Sequence, residues 1–168
     1  MKINFEEEKV SVVLPVAQRG EDILTLKAAS VTQNEFNSAW LEQLALALLA
    51  TMLERHGVGI AAPQVYVSKR VIIVASRPNP RYPDAPDMPA VTMINPEITE
   101  YSTETCLGEE GCLSVPEQRG QVERAYAVKV RYFTVQGEQV KQSYEGFPAR
   151  IVQHEIDHLN GILFVERL

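Results

Sequence analysis

Two of the three histidines in the chain stand four residues apart with a glutamate between them, in Gln153-His154-Glu155-Ile156-Asp157-His158-Leu159, and only ten residues follow His158. On a helix each residue turns the chain by about 100°, so residues four apart project from one face. His154 and His158 can then share one tetrahedral metal ion, with Glu155 beside them as a general base rather than a ligand. Val152, Ile156 and Leu159 fall on another face of the same helix, where they can pack on a sheet. The segment therefore asks for a fold in which one closing helix serves both core and site. Pro148 suits its first turn and Asn160-Gly161 its end. Two surface histidines spaced this way by chance are the alternative, and the intervening glutamate and the cap signals count against it.

A catalytic metal needs a third protein ligand and an open position for water. The ten residues after His158 contain no histidine or cysteine and one carboxylate, Glu166, so the third ligand is sought upstream. The chain's two cysteines, Cys106 and Cys112, are the natural candidates. Cys112 lies in Glu110-Gly111-Cys112-Leu113-Ser114, a mid-chain turn where glycine lets the backbone pass close to a ligand. Cys106 reads as a small, buried, inert core thiol. Two cysteines are too few for a disulfide framework and suit a reducing, cytoplasmic setting.

The rest of the chain supplies one compact domain over residues 1–168. Ser38 is a candidate N-cap for a helix to Arg55, with Leu41, Leu44, Ala45, Leu48 and Met52 at helical spacing. His56-Gly57 should end it, glycine taking the left-handed position just past the helix and His56 serving structure rather than the site. Val71 to Ala75 and Val91 to Ile94 read as strands joined by a loop carrying Pro78, Pro80, Pro83, Pro86 and Pro89. Tyr126 to Val135, with Val128, Val130 and Tyr132 on one face, turns at Gln136-Gly137 into Gln139 to Tyr144 as a hairpin. Strands in the middle with one helix before and one after predict an α+β fold. Small antiparallel or mixed β-sheets would pack around the C-terminal metal-binding helix, with a second long helix nearer the N-terminus.

Charge and composition exclude several function classes. Residues are 45% hydrophobic and 23% charged, a soluble globular balance. A net charge of −6 argues against nucleic-acid binding. Glu6, Glu7 and Glu8 precede the apolar stretch Val10 to Ala17, the wrong sign for an export signal, and Pro15 interrupts it. The most apolar window, Leu44 to Leu53, is half the roughly 20 residues a membrane span requires.

Three separated segments resemble the signature motifs of peptide deformylases: Gly57-Val58-Gly59-Ile60-Ala61-Ala62-Pro63-Gln64, then Glu110 to Ser114, then Gln153 to Leu159. Their order and spacing match as well, so the resemblance runs from about Ser38 to the C-terminus. It implies removal of the formyl group from N-terminal formylmethionine of nascent peptides. Cys112, His154 and His158 would hold the metal, and Glu155 would act as acid and base. The Gln64 side chain and the Leu113 backbone N–H would stabilise the oxyanion. It favours Fe(II), although thiolate and imidazole also accept zinc, nickel and cobalt. Substrate would enter extended, against Val58, Gly59, Gly111 and Leu113, with Gly57 and Gly59 letting its backbone approach as an added strand. Arg119 matches an arginine near substrate in some relatives, or is a solvated loop charge. Asp157 is expected to pair with Arg124.

The resemblance departs at Ile23-Leu24-Thr25-Leu26, where a basic residue is common, and at the C-terminus. There the chain stops at Leu168, without the longer tail by which some relatives contact ribosomes, which counts against ribosome contact without removing it; a monomer is expected. The loop from Arg77 to Pro89 is longer than many relatives need and can shape access to the cleft. Two rivals remain: a metallopeptidase that cuts peptide bonds, and a non-catalytic peptide-binding relative.

Overall fold

The computed structural model describes residues 13–168. The acidic run Glu6 to Glu8 and the start of the apolar stretch after it lie outside the described residues. Within the described residues two α-helices and seven strands follow in the order α1 (Ala39–Glu54), β1 (Gly59–Ala61), β2 (Val71–Ser76), β3 (Met88–Tyr101), β4 (Thr105–Cys112), β5 (Val115–Ala125), β6 (Ala127–Phe133), β7 (Gln139–Glu145) and α2 (Gly146–Leu159). One sheet has five strands in the order β1-β2-β3-β6-β7, and β4 and β5 form a separate two-stranded ribbon. Among the described residues every pair of named strands is antiparallel, with one isolated parallel bridge between Ala29 and Lys69, and the expected α+β architecture holds.

The run Val71-Ile72-Ile73-Val74 is apolar at every position because both faces of β2 are covered. Ile72 and Val74 meet Val152, Ile156 and Leu159 of α2, in a core that also takes Met93, Val128, Val130 and Tyr132. Val71 and Ile73 meet Leu41, Leu44, Leu48 and Met52 of α1 on the opposite face. A third cluster, with Val115, Val122, Leu163 and Phe164, lies under the ribbon and includes Cys112. Alternation along β2 thus fixes which helix lies on which side.

Both helices end by wrapping backbone N–H groups onto their last carbonyls, but with different residues in the left-handed position. At α1, Ser38 caps the start through its Oγ, which accepts the Leu41 N–H at 3.2 Å. At its end His56 N–H reaches Leu53 O and Gly57 N–H reaches Met52 O, and the left-handed residue is His56, φ 56°, not Gly57. This closure needs its positive φ one residue before the last donor, which puts it on histidine. Gly57 is small for another reason: a β-carbon there would crowd Leu113 Cδ1 at 3.1 Å and Met52 Cγ at 3.3 Å. At α2 the same closure falls on Gly161, φ 75°, with Ile162 N–H reaching Asp157 O at 2.9 Å.

Strand β3 is longer than the Val91 to Ile94 stretch suggests, because it passes its bend at Asn95, φ 50°. The register with β6 shifts there, which accommodates Pro96. The β4–β5 ribbon is a larger departure. Cys112 closes strand β4 rather than sitting in a turn, with an irregularity between Gly111 and Cys112. Cys106 is half-buried rather than a core thiol, and its sulfur lies 3.4 Å from Arg150 Nη2.

Gly161 and Gly146 both have positive φ, but only a β-carbon at Gly161 would collide with backbone, at the Thr25 carbonyl, while nothing lies within 4 Å of that at Gly146. Gly146→Ala should therefore cost about 1 kcal/mol, the backbone penalty alone. Gly161→Ala should cost clearly more, about 2–3 kcal/mol. Urea denaturation of the two variants checks the order.

Candidate active site

Helix α2 and the end of β4 bring the three predicted ligands together. Cys112, His154 and His158 are all buried, and their candidate ligand atoms lie within 4.8 Å of one another. Cys112 Sγ is 3.3 Å from His158 Nε2. His154 points Nδ1 at Glu110 Oε1, 2.9 Å away. A proton on Nδ1 donated to that carboxylate leaves the other ring nitrogen, Nε2, as the one with a lone pair to offer. Burial alone would push the Cys112 thiol up, but the charges of His158 and His154 hold it well below its usual range. That shift is toward the thiolate, the form that binds metals.

Glu155 follows His154 on α2 and is buried, with Oε1 lacking a hydrogen-bond partner among the described residues. Burial pushes its carboxyl up, against the pull of His154 and His158. Its side chain passes over Gly59, where a β-carbon would lie 2.5 Å from Oε2. Glycine at this position thus makes room for the carboxylate, a nearer constraint than the approach of a substrate backbone. Gln64 sits on a buried 3-10 turn after β1. Its Oε1 accepts the Ala61 N–H at 2.9 Å, which orients Nε2 toward Ser114 Oγ at 3.0 Å and Cys112 Sγ at 3.6 Å.

One cavity collects most of the predicted residues: Val58, Gly59, Gln64, Gly111, Cys112, Leu113, His154 and Glu155 all line it. Arg119 does not. It lies at the edge, paired with Glu109 at 3.4 Å, in a neighbouring cavity that shares Cys112 and Leu113. The same cavity has walls that sequence reasoning missed: Arg81 and Tyr82 from the proline-rich loop, and Phe147, Arg150 and Ile151 from the first turns of α2. The aromatic and aliphatic positions one and two turns before His154 were a usable signal for the helix side. Nothing local in the loop marks Tyr82.

Behind the site lies a buried ionic network. Glu110 accepts from Arg124 Nε and Nη2 at 2.9 Å each and from Arg150 Nη1 at 2.8 Å, in addition to His154. Arg124 also reaches Asp157 at 2.6 Å, the pairing expected from the sequence, and Asp157 receives Arg167 as well. Burial would raise the Glu110 carboxyl, yet the hydrogen bonds from Arg124 and His154 hold it well below the usual carboxylate range. Phe164 stacks on the His154 ring, 6.1 Å between centroids.

A family model described as polypeptide deformylase matches residues 13–168. Peptide deformylase 2 of Nostoc sp. is 51% identical over 156 residues, covering 93% of this chain and 86% of that protein. Peptide deformylase 2 of Shewanella oneidensis is 48% identical over 154 residues, covering 92% and 83%. Among solved structures, the class I type b peptide deformylase of Acinetobacter baumannii with Met-Ala-Ser bound has a TM-score of 0.92 and 76% identity. It covers 94% of this chain and 99% of that one. Peptide deformylase from Thermotoga maritima has a TM-score of 0.82 at 36% identity, covering 93% and 97%.

Replacing Glu110 would leave Arg124 and Arg150 buried without their shared counter-charge, so Glu110→Gln should destabilise the fold by about 3–5 kcal/mol. The folded carboxyl is depressed below its ordinary 4.5. Its contribution is therefore complete above that value and is lost as pH falls toward the depressed one. Urea denaturation of both proteins from pH 7 downward should show a constant gap that narrows below pH 4.5.

Proposed function

The chain belongs to the polypeptide deformylase family, and from that membership we propose that it is a metal-dependent hydrolase acting on N-terminal formylmethionine of newly made peptides in the cytoplasm. The observation that carries this reading is the convergence of Cys112, His154 and His158 beside the buried carboxylate of Glu155. The reaction adds water across the formamide: the carbon–nitrogen bond breaks, leaving formate and a free N-terminal amine.

The donor set fits a divalent metal ion. It offers one thiolate and two imidazoles, with His154 oriented by Glu110, and no fourth protein ligand is needed. A divalent ion held there, Fe(II) by resemblance with zinc, nickel and cobalt also suited to the donors, supplies a Lewis acid and lowers the pKa of water toward about 7. Glu155 takes a proton from the attacking water and delivers it to the departing amine. Burial pushes its carboxyl up while His154 and His158 pull it down.

As the formyl carbon becomes tetrahedral, charge grows on its oxygen and needs donors already in place. The Gln64 amide and the Leu113 backbone N–H fill that role, and the anchoring of Gln64 Oε1 by Ala61 N–H supports it. Strand β1 is the edge of its sheet, so an extended peptide can add alongside it. Val58, Gly59, Gly111 and Leu113 then flank the substrate backbone. Phe147, Ile151 and the Tyr82 ring offer an apolar surface for methionine. The nascent chain is the partner that this chemistry requires. Among the described residues no helix is long and apolar enough to cross a membrane.

The purified protein should release formate from formyl-Met-Ala-Ser without shortening the peptide, and Glu155→Gln should lower the rate by about 10²–10⁴ while leaving metal content unchanged. Mass spectrometry of the product with a formate assay and metal analysis checks all three. Peptide shortening would point instead to a metallopeptidase, and equal turnover in the two proteins would remove Glu155 from the mechanism.

A further inference from the structure

The last turn of the chain reaches His154 by two routes. After α2 the chain folds back as a 3-10 turn, Phe164–Arg167, closed by the Glu166 carboxylate accepting the Leu163 N–H at 2.9 Å. Phe164 is buried, and its ring lies at 22° to that of His154, stacked on it. The second route starts at Arg167. Its Nε and Nη2 donate to the two oxygens of Asp157 at 2.6 and 2.9 Å. Leu168 then covers Gly120 of β5, where a β-carbon would lie 2.5 Å from Leu168 Cδ2.

From Asp157 the line of charges is continuous. Its Oδ2 also accepts Arg124 Nη1 at 2.6 Å, and Arg124 gives Nε and Nη2 to the two oxygens of Glu110 at 2.9 Å each. Glu110 Oε1 meets His154 Nδ1 at 2.9 Å. One guanidinium is thus shared by two carboxylates, and how it divides depends on what else each carboxylate holds. Glu110 has Arg150 as a second cation, and Asp157 has Arg167. Without Arg167, Asp157 Oδ1 loses its only hydrogen-bond partner among the described residues. The full pull of that carboxylate then falls on Arg124, and donors drawn toward Asp157 are lost to Glu110, the group that orients the His154 ring. As a contribution to stability the Arg167 pair is minor, because the Arg167 side chain is 42% exposed and solvent screens it. Its geometry matters more: a planar fork fixes both oxygens of the carboxylate at once.

We infer that Arg167 is a positioning residue for the metal site, holding Asp157 so that Arg124 stays on Glu110 and Glu110 on His154. The effect on turnover rests on the deformylase reading; the effect on the arrangement of ligands does not.

The test loads wild type, Arg167→Gln, Arg167→Lys and Leu168→Ala with Co(II), whose visible absorption bands respond to the arrangement of its ligands. Leu168→Ala is the control, since it loosens the same turn over Gly120 without touching the charges. Arg167→Gln should shift the cobalt bands and weaken Co(II) binding, measured against a competing chelator, by about threefold to tenfold, short of the roughly 10–100-fold that follows loss of a group bonded directly to a ligand. Formate release from formyl-Met-Ala-Ser should lose a similar factor in kcat with KM unchanged. Arg167→Lys keeps the charge without the fork and should fall between Arg167→Gln and wild type. Leu168→Ala should lower the thermal midpoint and leave bands and affinity at wild-type values. Wild-type bands and affinity in both Arg167 variants would overturn the proposal. An equal shift in Leu168→Ala would overturn it too, because loosening of the turn would then suffice. No formate from any of the four proteins, with the bands still shifted by Arg167→Gln, would overturn the deformylase reading and support this inference on its own.

Discussion

The carboxylate of Glu110 joins the two halves of the site. It leaves the β4–β5 ribbon and meets Arg150 and His154 of α2, while Arg124 of the ribbon spans from Glu110 to Asp157 on the same helix. The sulfur and the imidazoles belong to different elements, and their separation is set by how ribbon and helix dock. An apolar contact could hold the two together but would tolerate sliding. Hydrogen bonds fixed at both ends do not. Buried ion pairs of this kind often add little net stability, because desolvation offsets their attraction. What this one does is specify a register between Cys112 and His154.

The same carboxylate also has a chemical consequence. By accepting from Nδ1 of His154 it selects the tautomer and leaves Nε2 as the ring nitrogen with a free lone pair. Glu155, one residue on, points to the other side of the site, over a glycine that leaves room for it. Gln64 is fixed by its own Ala61 N–H. His154 and Gln64 are thus each held by a partner that takes no part in the reaction, an arrangement that gives preorganised electrostatics their value.

Much of this could be read from the chain. The pattern around His154 fixed a helix with a polar and an apolar face, and both faces are used as their spacing demands. The expected pairing of Asp157 with Arg124 is present. The ribbon was not legible. Its residues 105–125 carry Gly108, Gly111 and Gly120 among charges, and their burial does not alternate cleanly, so a period of two is absent. Tertiary contacts supply what local pattern lacks: Arg150 fills the space above Gly108, and Leu168 that above Gly120. His56 shows the reverse error, since glycine is the residue expected in a left-handed closure and histidine occupies it. The Tyr82 wall was hidden because proline and glycine mark where a chain turns, not which side chain it delivers.

The account depends on one sulfur and two ring nitrogens meeting at a single ion. X-ray absorption at the metal edge of protein purified without oxygen tests this most directly. The account predicts one sulfur neighbour at about 2.3 Å together with two imidazoles among the nearest ligands. A first shell of nitrogen and oxygen without sulfur would contradict it.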